Sequence, residues 1–272
     1  MCEVLQIARS TFYYDTEVAV LNEQEKRAED EKLKEKIRII FNKNRKVYGT
    51  RKIKDALSKE GYTVSRRRIG ILMEELGIQS KYAHPSYKPM TTKPNEEPVN
   101  SLLDREFDVG KPMSVLVSDL TYVRVRKQWH YICFLLGLYN REIVGYSAGK
   151  RKDAALVQRA FATVKQPIET VNVFHTDRGS EFKNVEMDEL LQKYNIERSL
   201  NDKGSPYDNA VSETTFKILK TELINDMHFG TLEQLSLELF DYVNWYNKVR
   251  THSTLGYLSS VTFRNAALKN IV

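Results

Sequence analysis

Residues 205–223 read SPYDNAVSETTFKILKTEL, an amphipathic helix with start signals that carries a carboxylate, Glu213, where a buried helix needs none. Pro206 and the Asp208/Asn209 pair mark the start. Ala210, Val211, Phe216, Leu219 and Leu223 recur at helical spacing, so one side faces a core. Seven residues turn a helix through about 700°, which puts Glu213 and Lys220 on one face with Asn209 a turn ahead of the acid. An acid, a base and an amide line up. Thirty-five residues before Glu213 separate it from Asp177, which closes the apolar run in VNVFHTDRGSEF, 171–182. Further back, SVLVSDLTYVRV (114–125) sets Asp119 in a β-rich run whose Val115, Val117, Leu120, Tyr122 and Val123 suit a central strand.

A lone Asp at a strand end is usually a turn or cap residue, and the chain has 36 acids. Context decides. The stretches SDLTYV, HTDRGSEF, KGSPYDNAVSE with its 35-residue gap, Lys220, and YNKVRTHSTLGYLS at 246–259 resemble the catalytic core shared by retroviral integrases and bacterial insertion-sequence transposases of the IS-three group. The resemblance covers nearly the whole chain. It implies an α/β fold, a ribonuclease H-like integrase core with a mixed five-stranded sheet flanked by helices, preceded by an all-helical helix-turn-helix region. It also implies a DDE-type polynucleotidyl transferase that cleaves DNA at the ends of an element and joins those ends to target DNA. By the same resemblance Asp119, Asp177 and Glu213 are the catalytic acids and hold two Mg²⁺ (or Mn²⁺) ions, the first Asp bridging both.

That chemistry suits the residue types. Phosphodiester transfer needs an activated nucleophile and a stabilised leaving oxygen, which two divalent ions about 3.5–4 Å apart supply together. Hard Mg²⁺ takes a few carboxylates and completes its shell with waters and phosphate oxygens. Glu181, Asp202, Asp208 and Glu222 are rival acids, of which Asp208 reads as a cap and Glu222 lies on another helical face. Lys220 reads as a phosphate contact or as a solvent-facing lysine, and Asn209 as a ligand-orienting amide or a cap. Gly179 permits a tight backbone after Asp177, while His175 and His252 read as structural. Ser260, where a proline is usual, and Leu116, where a tryptophan is common, depart from the family pattern without touching a ligand position.

Charge is uneven along the 272 residues: the chain is +6 overall, but residues 42–93 hold thirteen basic residues against four acids, a local +9. A polyanion partner for this part follows, DNA above all. Within it, Ile53, Ala56 and Leu57 mark one helix, and Ile69, Leu72, Met73 and Leu76 a second, ended by Gly61 and Gly77. Ser65 caps the second helix. Arg66, Arg67 and Arg68 fill its first turn, where positive charge opposes the helix dipole and contacts to DNA are the better explanation. Arg51 and Lys52 join them as candidate DNA contacts. A regulator without catalysis and a nuclease that only hydrolyses are the competing functions; intact acids oppose the first, and strand joining separates the second.

The expected organisation is a partial helix-turn-helix and charged lead-in at 1–32, with Ser10 as cap, a helix-turn-helix domain at 33–80, a Pro-rich linker at 81–112, the catalytic core at 113–228 and a helical extension at 229–272. The lead-in helix spans 22–46. Strands are expected at 113–126, 129–139 and 142–149, followed by helix, strand, helix, strand, helix. VLQIARSTFYY, near Met1, has no preceding helix to support it, so an upstream orfA-type protein or a frameshift fusion is expected to supply specificity for the terminal inverted repeats, with a homo-oligomer on DNA. Two cysteines make no disulfide framework, and the nine-residue apolar run YICFLLGLY is far below the roughly 18 residues of a membrane span. A cytoplasmic, nucleoid-associated protein with no membrane partner is expected.

Overall fold

The computed structural model describes residues 16–83, 110–200 and 210–269, with Val4 and Gln6. The expected Ser10 cap, most of the Pro-rich segment and the helix start at 205–209, including Asn209, lie outside the described residues. The chain divides into two compact units, Met1–Pro85 and Ser86–Val272.

The first unit is helical: α1 (Thr16–Lys43), α2 (Thr50–Lys59) and α3 (Arg66–Glu75). Its core is a single apolar seam. Leu33, Ile37, Ile40 and Phe41 of α1 are buried together with Ile53 and Leu57 of α2 and Ile69, Leu72 and Met73 of α3. The polar remainder of α1 stays outside, as a stripe repeating at three and four residues dictates. Ser65 caps α3, its Oγ accepting from the Arg68 backbone N–H at 3.1 Å. Gly61 and Gly77 follow the two later helices at φ +87° and +62°, the left-handed region that lets a helix stop.

The second unit is built on a five-stranded sheet with spatial order β3-β2-β1-β4-β5. Its strands are β1 (Val115–Val125), β2 (Gln128–Gly137), β3 (Glu142–Gly149), β4 (Val173–Thr176) and β5 (Glu197–Leu200). The first three form an antiparallel meander, and β4 and β5 then add in parallel. Parallel addition requires crossovers, supplied by α4 (Ala154–Ala162) and α5 (Val185–Lys193). Together with Leu116, Cys133, Leu135 and Phe174 of the strands, Leu156 and Val157 of α4 and Met187 of α5 form one buried cluster. Strand pleating points Phe134 the opposite way from Cys133 and Leu135. On that face its ring stacks on Phe216 of α6 (Ala210–Glu222), centroids 5.1 Å apart and ring planes nearly parallel. This is the mixed, helix-flanked five-stranded sheet that the sequence implied.

Helix α7 (Leu232–Lys248) buries Leu235, Leu239, Tyr242, Val243 and Tyr246, the periodic positions of its sequence. A further helix, α8 (Ser260–Lys269), falls within the expected helical extension, though the sequence reading did not single it out. Ser260, its first residue, is fully buried with Oγ 3.4 Å from His252 Nε2. A proline would suit that first position because its fixed φ is helical. The buried His252 is structural, as expected, with its backbone N–H donating to the Leu258 carbonyl at 3.0 Å.

Candidate active site

Asp119 lies on β1 two residues beyond Val117, whose parallel partner on β4 is His175. Asp177 lies two residues beyond His175. The same offset on adjacent parallel strands sets the two acids side by side, Asp177 just past the carboxyl end of β4 and Asp119 within β1, two residues beyond the last pair that β1 makes with β4. Asp119 also pairs across β1 and β2 with Phe134, the residue on which Phe216 of α6 stacks. Glu213 precedes Phe216 by three residues, in the first turn of α6, and is exposed. Phe216, Leu219 and Leu223 anchor α6 by burial, and Glu213 lies close enough to Asp119 for its charge to act on that carboxyl.

The electrostatics register this convergence. Burial raises the half-buried Asp119 carboxyl from 3.8 to about 6, and the negative charges of Asp177 and Glu213 push it the same way. Both aspartates spend one oxygen locally: Asp119 Oδ1 accepts from the Leu120 N–H at 2.7 Å, and Asp177 Oδ1 from the Gly179 N–H at 2.9 Å. Among the described residues no three His, Cys, Asp or Glu side chains already close around a single cation position. The all-oxygen donor set and the repulsion at Asp119 both fit a divalent ion.

The rival carboxylates are accounted for where they are described. Glu222 is buried and receives the Arg250 guanidinium Nε at 2.9 and 3.0 Å and the Tyr242 hydroxyl at 3.0 Å. Glu181 is buried too, with Oε1 2.8 Å from the Lys152 ammonium in an ion pair set off the axis of a hydrogen bond. Lys152 is a site residue that the sequence reading missed. Its ammonium pulls Asp119 downward, while Glu181 first, then Asp177 and Asp119, raise Lys152 itself. The only signal in the sequence was the basic run Lys150, Arg151 and Lys152 directly after a strand. His175, expected to be structural, is buried with Nδ1 2.9 Å from Ser199 Oγ.

Gly179 has a definite reason. A Cβ there would stand 2.3 Å from Glu181 Oε1. Gly179→Ala is therefore expected to dislodge Glu181 from Lys152 and shift the turn that carries Asp177. Catalytic turnover should fall at least tenfold while the melting temperature changes little, since a displacement of about 1 Å at a site can cost a hundredfold. Parallel rate and melting measurements check this, and an unaltered rate would refute it.

Lys220, predicted to share the Glu213 face, is half-buried with its ammonium 4.7 Å from the Tyr122 ring centroid. In the helical unit Arg66 and Arg67 are exposed, as is Arg51, and the Lys52 ammonium sits 4.9 Å from the Tyr48 ring centroid. Arg68 differs from its neighbours. Its Nε donates to Asp30 at 2.8 Å and its Nη2 to Glu29 at 2.9 Å, tying α3 to α1.

An integrase core domain model matches residues 110–206, and a second of the same description matches 213–268. A helix-turn-helix-like domain matches 28–86. The transposase for insertion sequence element IS904 of Lactococcus lactis is 33% identical over 86% of this chain and 94% of its own length. The chain belongs to the insertion-sequence transposases with an integrase core. The 31 kDa protein of insertion element IS600 from Shigella sonnei is 30% identical over 97% of both chains. Transposase InsF of IS3A from Escherichia coli is 29% identical over 98% of this chain and 94% of its own. In fold the transposase is similar to a simian T-cell lymphotropic virus intasome structure, with TM-score 0.50 and 16% identity over 78% of this chain and 70% of that one. The transposase is thus a DDE-type polynucleotidyl transferase. No helix among its described residues is long and apolar enough to cross a membrane.

Proposed function

We propose that this transposase cuts DNA at the ends of its element and joins the freed 3′ ends to target DNA at the Asp119–Asp177–Glu213 cluster. The observation that carries this reading is the pair of acids at matching positions on adjacent parallel strands, Asp119 within β1 and Asp177 just past β4, with the charge of the exposed Glu213 of α6 felt at Asp119. Asp119, Asp177 and Glu213 would hold two Mg²⁺ or Mn²⁺ ions, which when bound lower the pKa of the nucleophile and neutralise the leaving oxygen. Water is the first nucleophile: its oxygen bonds to phosphorus, the P–O3′ bond breaks, and a 3′-hydroxyl leaves. That 3′-hydroxyl then attacks a target phosphodiester, joining one bond as another opens. Lys220 steadies a phosphate beside the acids, and Gly179 fixes the turn behind Asp177. A joining assay on duplexes carrying the element's ends, with Mg²⁺ or Mn²⁺, tests the whole. Hydrolysis without joining would make the chain a nuclease.

DNA recognition in the helical unit is assigned to Arg66, Arg67, Arg51 and Lys52, exposed or half-exposed cations beside the first turn of α3 or on α2. Replacing Arg66 and Arg67 with Ala should weaken DNA binding and reduce the salt slope by about one unit per lost phosphate contact. Arg68 was grouped with them, yet its guanidinium is engaged with Glu29 and Asp30. Arg68→Ala should therefore lower the melting temperature more than the salt slope, and the reverse pattern would return it to the DNA-contacting set. An upstream orfA-type partner, a homo-oligomer that brings two ends together, and a cytoplasmic, nucleoid-associated location complete the proposal. Fusion to the upstream segment should sharpen preference for terminal inverted repeats over scrambled duplex. Titrations of fused and unfused protein at one salt concentration compare the two, and a ratio above about a thousand for the unfused chain, within the range of self-sufficient specific binders, would remove the need for a partner.

A further inference from the structure

The hairpin joining β1 and β2 reads TYVRVRKQWH over residues 121–130. Strand alternation buries Thr121, Val123, Val125 and His130 and leaves Tyr122, Arg124, Arg126, Lys127 and Trp129 exposed. Aromatic rings and cations are thus interleaved on one exposed tip. A two-residue turn makes that tip, with Arg126 at φ +52°, a conformation that side-chain-bearing residues adopt only sparingly.

Tyr122 and Trp129 meet edge to face, ring centroids 5.1 Å apart. The pair alone accounts for a stable hairpin, because diagonal aromatic contacts support antiparallel strands. It does not account for the surroundings. Tyr122 remains 56% exposed and Trp129 54% exposed. A cation stands by each ring: Lys220 Nζ lies 4.7 Å from the Tyr122 centroid and Arg124 Cζ 5.7 Å from that of Trp129. Beside the turn a cleft of about 500 Å³ is lined by Arg126, Lys127 and Lys150, with Thr231 and Glu233 across it. Tyr122 follows Asp119 by three residues, roughly 10 Å along the strand and on the alternate face, and Lys220, two helical turns beyond Glu213 on α6, links its ring to the acids.

We propose that Tyr122 and Trp129 form a stacking site for an unpaired DNA base next to the reacting phosphodiester, with Arg124, Lys220 and the cations of the cleft holding the flanking phosphates. This rests on the strand-transfer reading, which brings DNA to Asp119. The chemistry selects the occupant. A nucleotide combines a π-face for the rings with an anion for the cations, a pairing that single-stranded nucleic-acid sites use repeatedly. A base inside a duplex is already stacked on its neighbours, so the ligand is a nucleotide displaced from the helix, as strand opening near a cut would supply.

Trp129 is also its own reporter, since the chain has two tryptophans and Trp245 is buried. The full chain is titrated with three duplexes of one sequence: blunt, with a three-nucleotide single-stranded flank, and with the same flank made abasic. Abasic sites keep the phosphates and remove the rings. The base-bearing flank should quench Trp129 fluorescence and bind about tenfold more tightly than the abasic flank, the scale of one base–aromatic stack. Trp129→Ala and Tyr122→Ala should each shrink that preference to about twofold, with Trp129→Phe retaining most of it. Equal wild-type affinity for the two flanks would overturn the proposal, and so would a preference that survives Trp129→Ala. Binding is read without turnover, so the outcomes separate. A Trp129-dependent preference in a chain that joins no strands would spare the stacking site and defeat the function. Joining by a chain with no such preference would do the opposite.

Discussion

Asp119→Asn is expected to abolish strand cleavage and strand joining together, by roughly a thousandfold or more, with fold and DNA affinity close to wild type. Metal-assisted stabilisation of transition-state charge contributes several kcal/mol, and each 1.36 kcal/mol is a factor of ten in rate. Asp177→Asn and Glu213→Gln should do the same, because each acid would complete the coordination of an ion. Stability should move the other way. In the ion-free protein the Asp119 carboxyl is raised from 3.8 to about 6 by burial and by its acidic neighbours. A folded-state value above the unfolded one means that ionisation costs stability as pH rises from about 4 through 6. Asp119→Asn removes that cost at neutral pH, so the ion-free variant should melt no lower than wild type. Added Mg²⁺ should raise the wild-type melting temperature at pH 7 and leave Asp119→Asn unmoved. Near wild-type joining by any of the three variants would remove that residue from the ligand set.

Glu222→Ala is expected to be the most destabilising single change in the catalytic unit. The Glu222 and Arg250 side chains are 0% and 7% exposed, and the acid accepts from both the guanidinium and the Tyr242 hydroxyl. Removing one partner of a buried pair strands the other charge, at about 3–5 kcal/mol. For a unit of this size that corresponds to a fall of about ten degrees in melting temperature. Tyr242 adds to the cost, since burial holds its hydroxyl protonated and able to donate. Replacing both charges, as in Glu222→Leu with Arg250→Met, should recover much of the loss, because apolar residues of similar volume often serve as well as a buried ion pair. Single and double variants that lose stability additively would show that the two groups do not act as a pair.

How far the sequence revealed this molecule depended on whether the deciding signal was local. Asp119, Asp177 and Glu213 sit in contiguous stretches that carry the family resemblance, and the apolar runs around them gave the order of strands and helices in a mixed α/β chain, while the five-stranded sheet came with the resemblance. Arg66, Arg67 and Arg68 are indistinguishable as letters. A helix sets successive side chains about 100° apart, so only Arg68 turns toward the acids of α1. That distinction exists only once α1 and α3 are packed. Lys152 stayed hidden for the same reason, since its partner Glu181 lies across the α4 crossover and β4. Within the expected helical extension, α8 was not singled out because its ten residues bury only Ser260, leaving no apolar stripe to read.

The parallel pairing of β1 with β4, and the Glu222–Arg250 clamp that follows it in the chain, set an order of events during synthesis. Helices α1 to α3 make contacts near in sequence and can fold as soon as they emerge, whereas joining Val117 to His175 must first close a long loop. Glu213 is secured later still, once Arg250 has been translated and has reached back to the end of α6. At about 5–20 residues per second, a ribosome would expose the basic helical unit many seconds before the acid cluster is complete. A nascent chain can therefore be drawn to DNA while it is still unable to cut it.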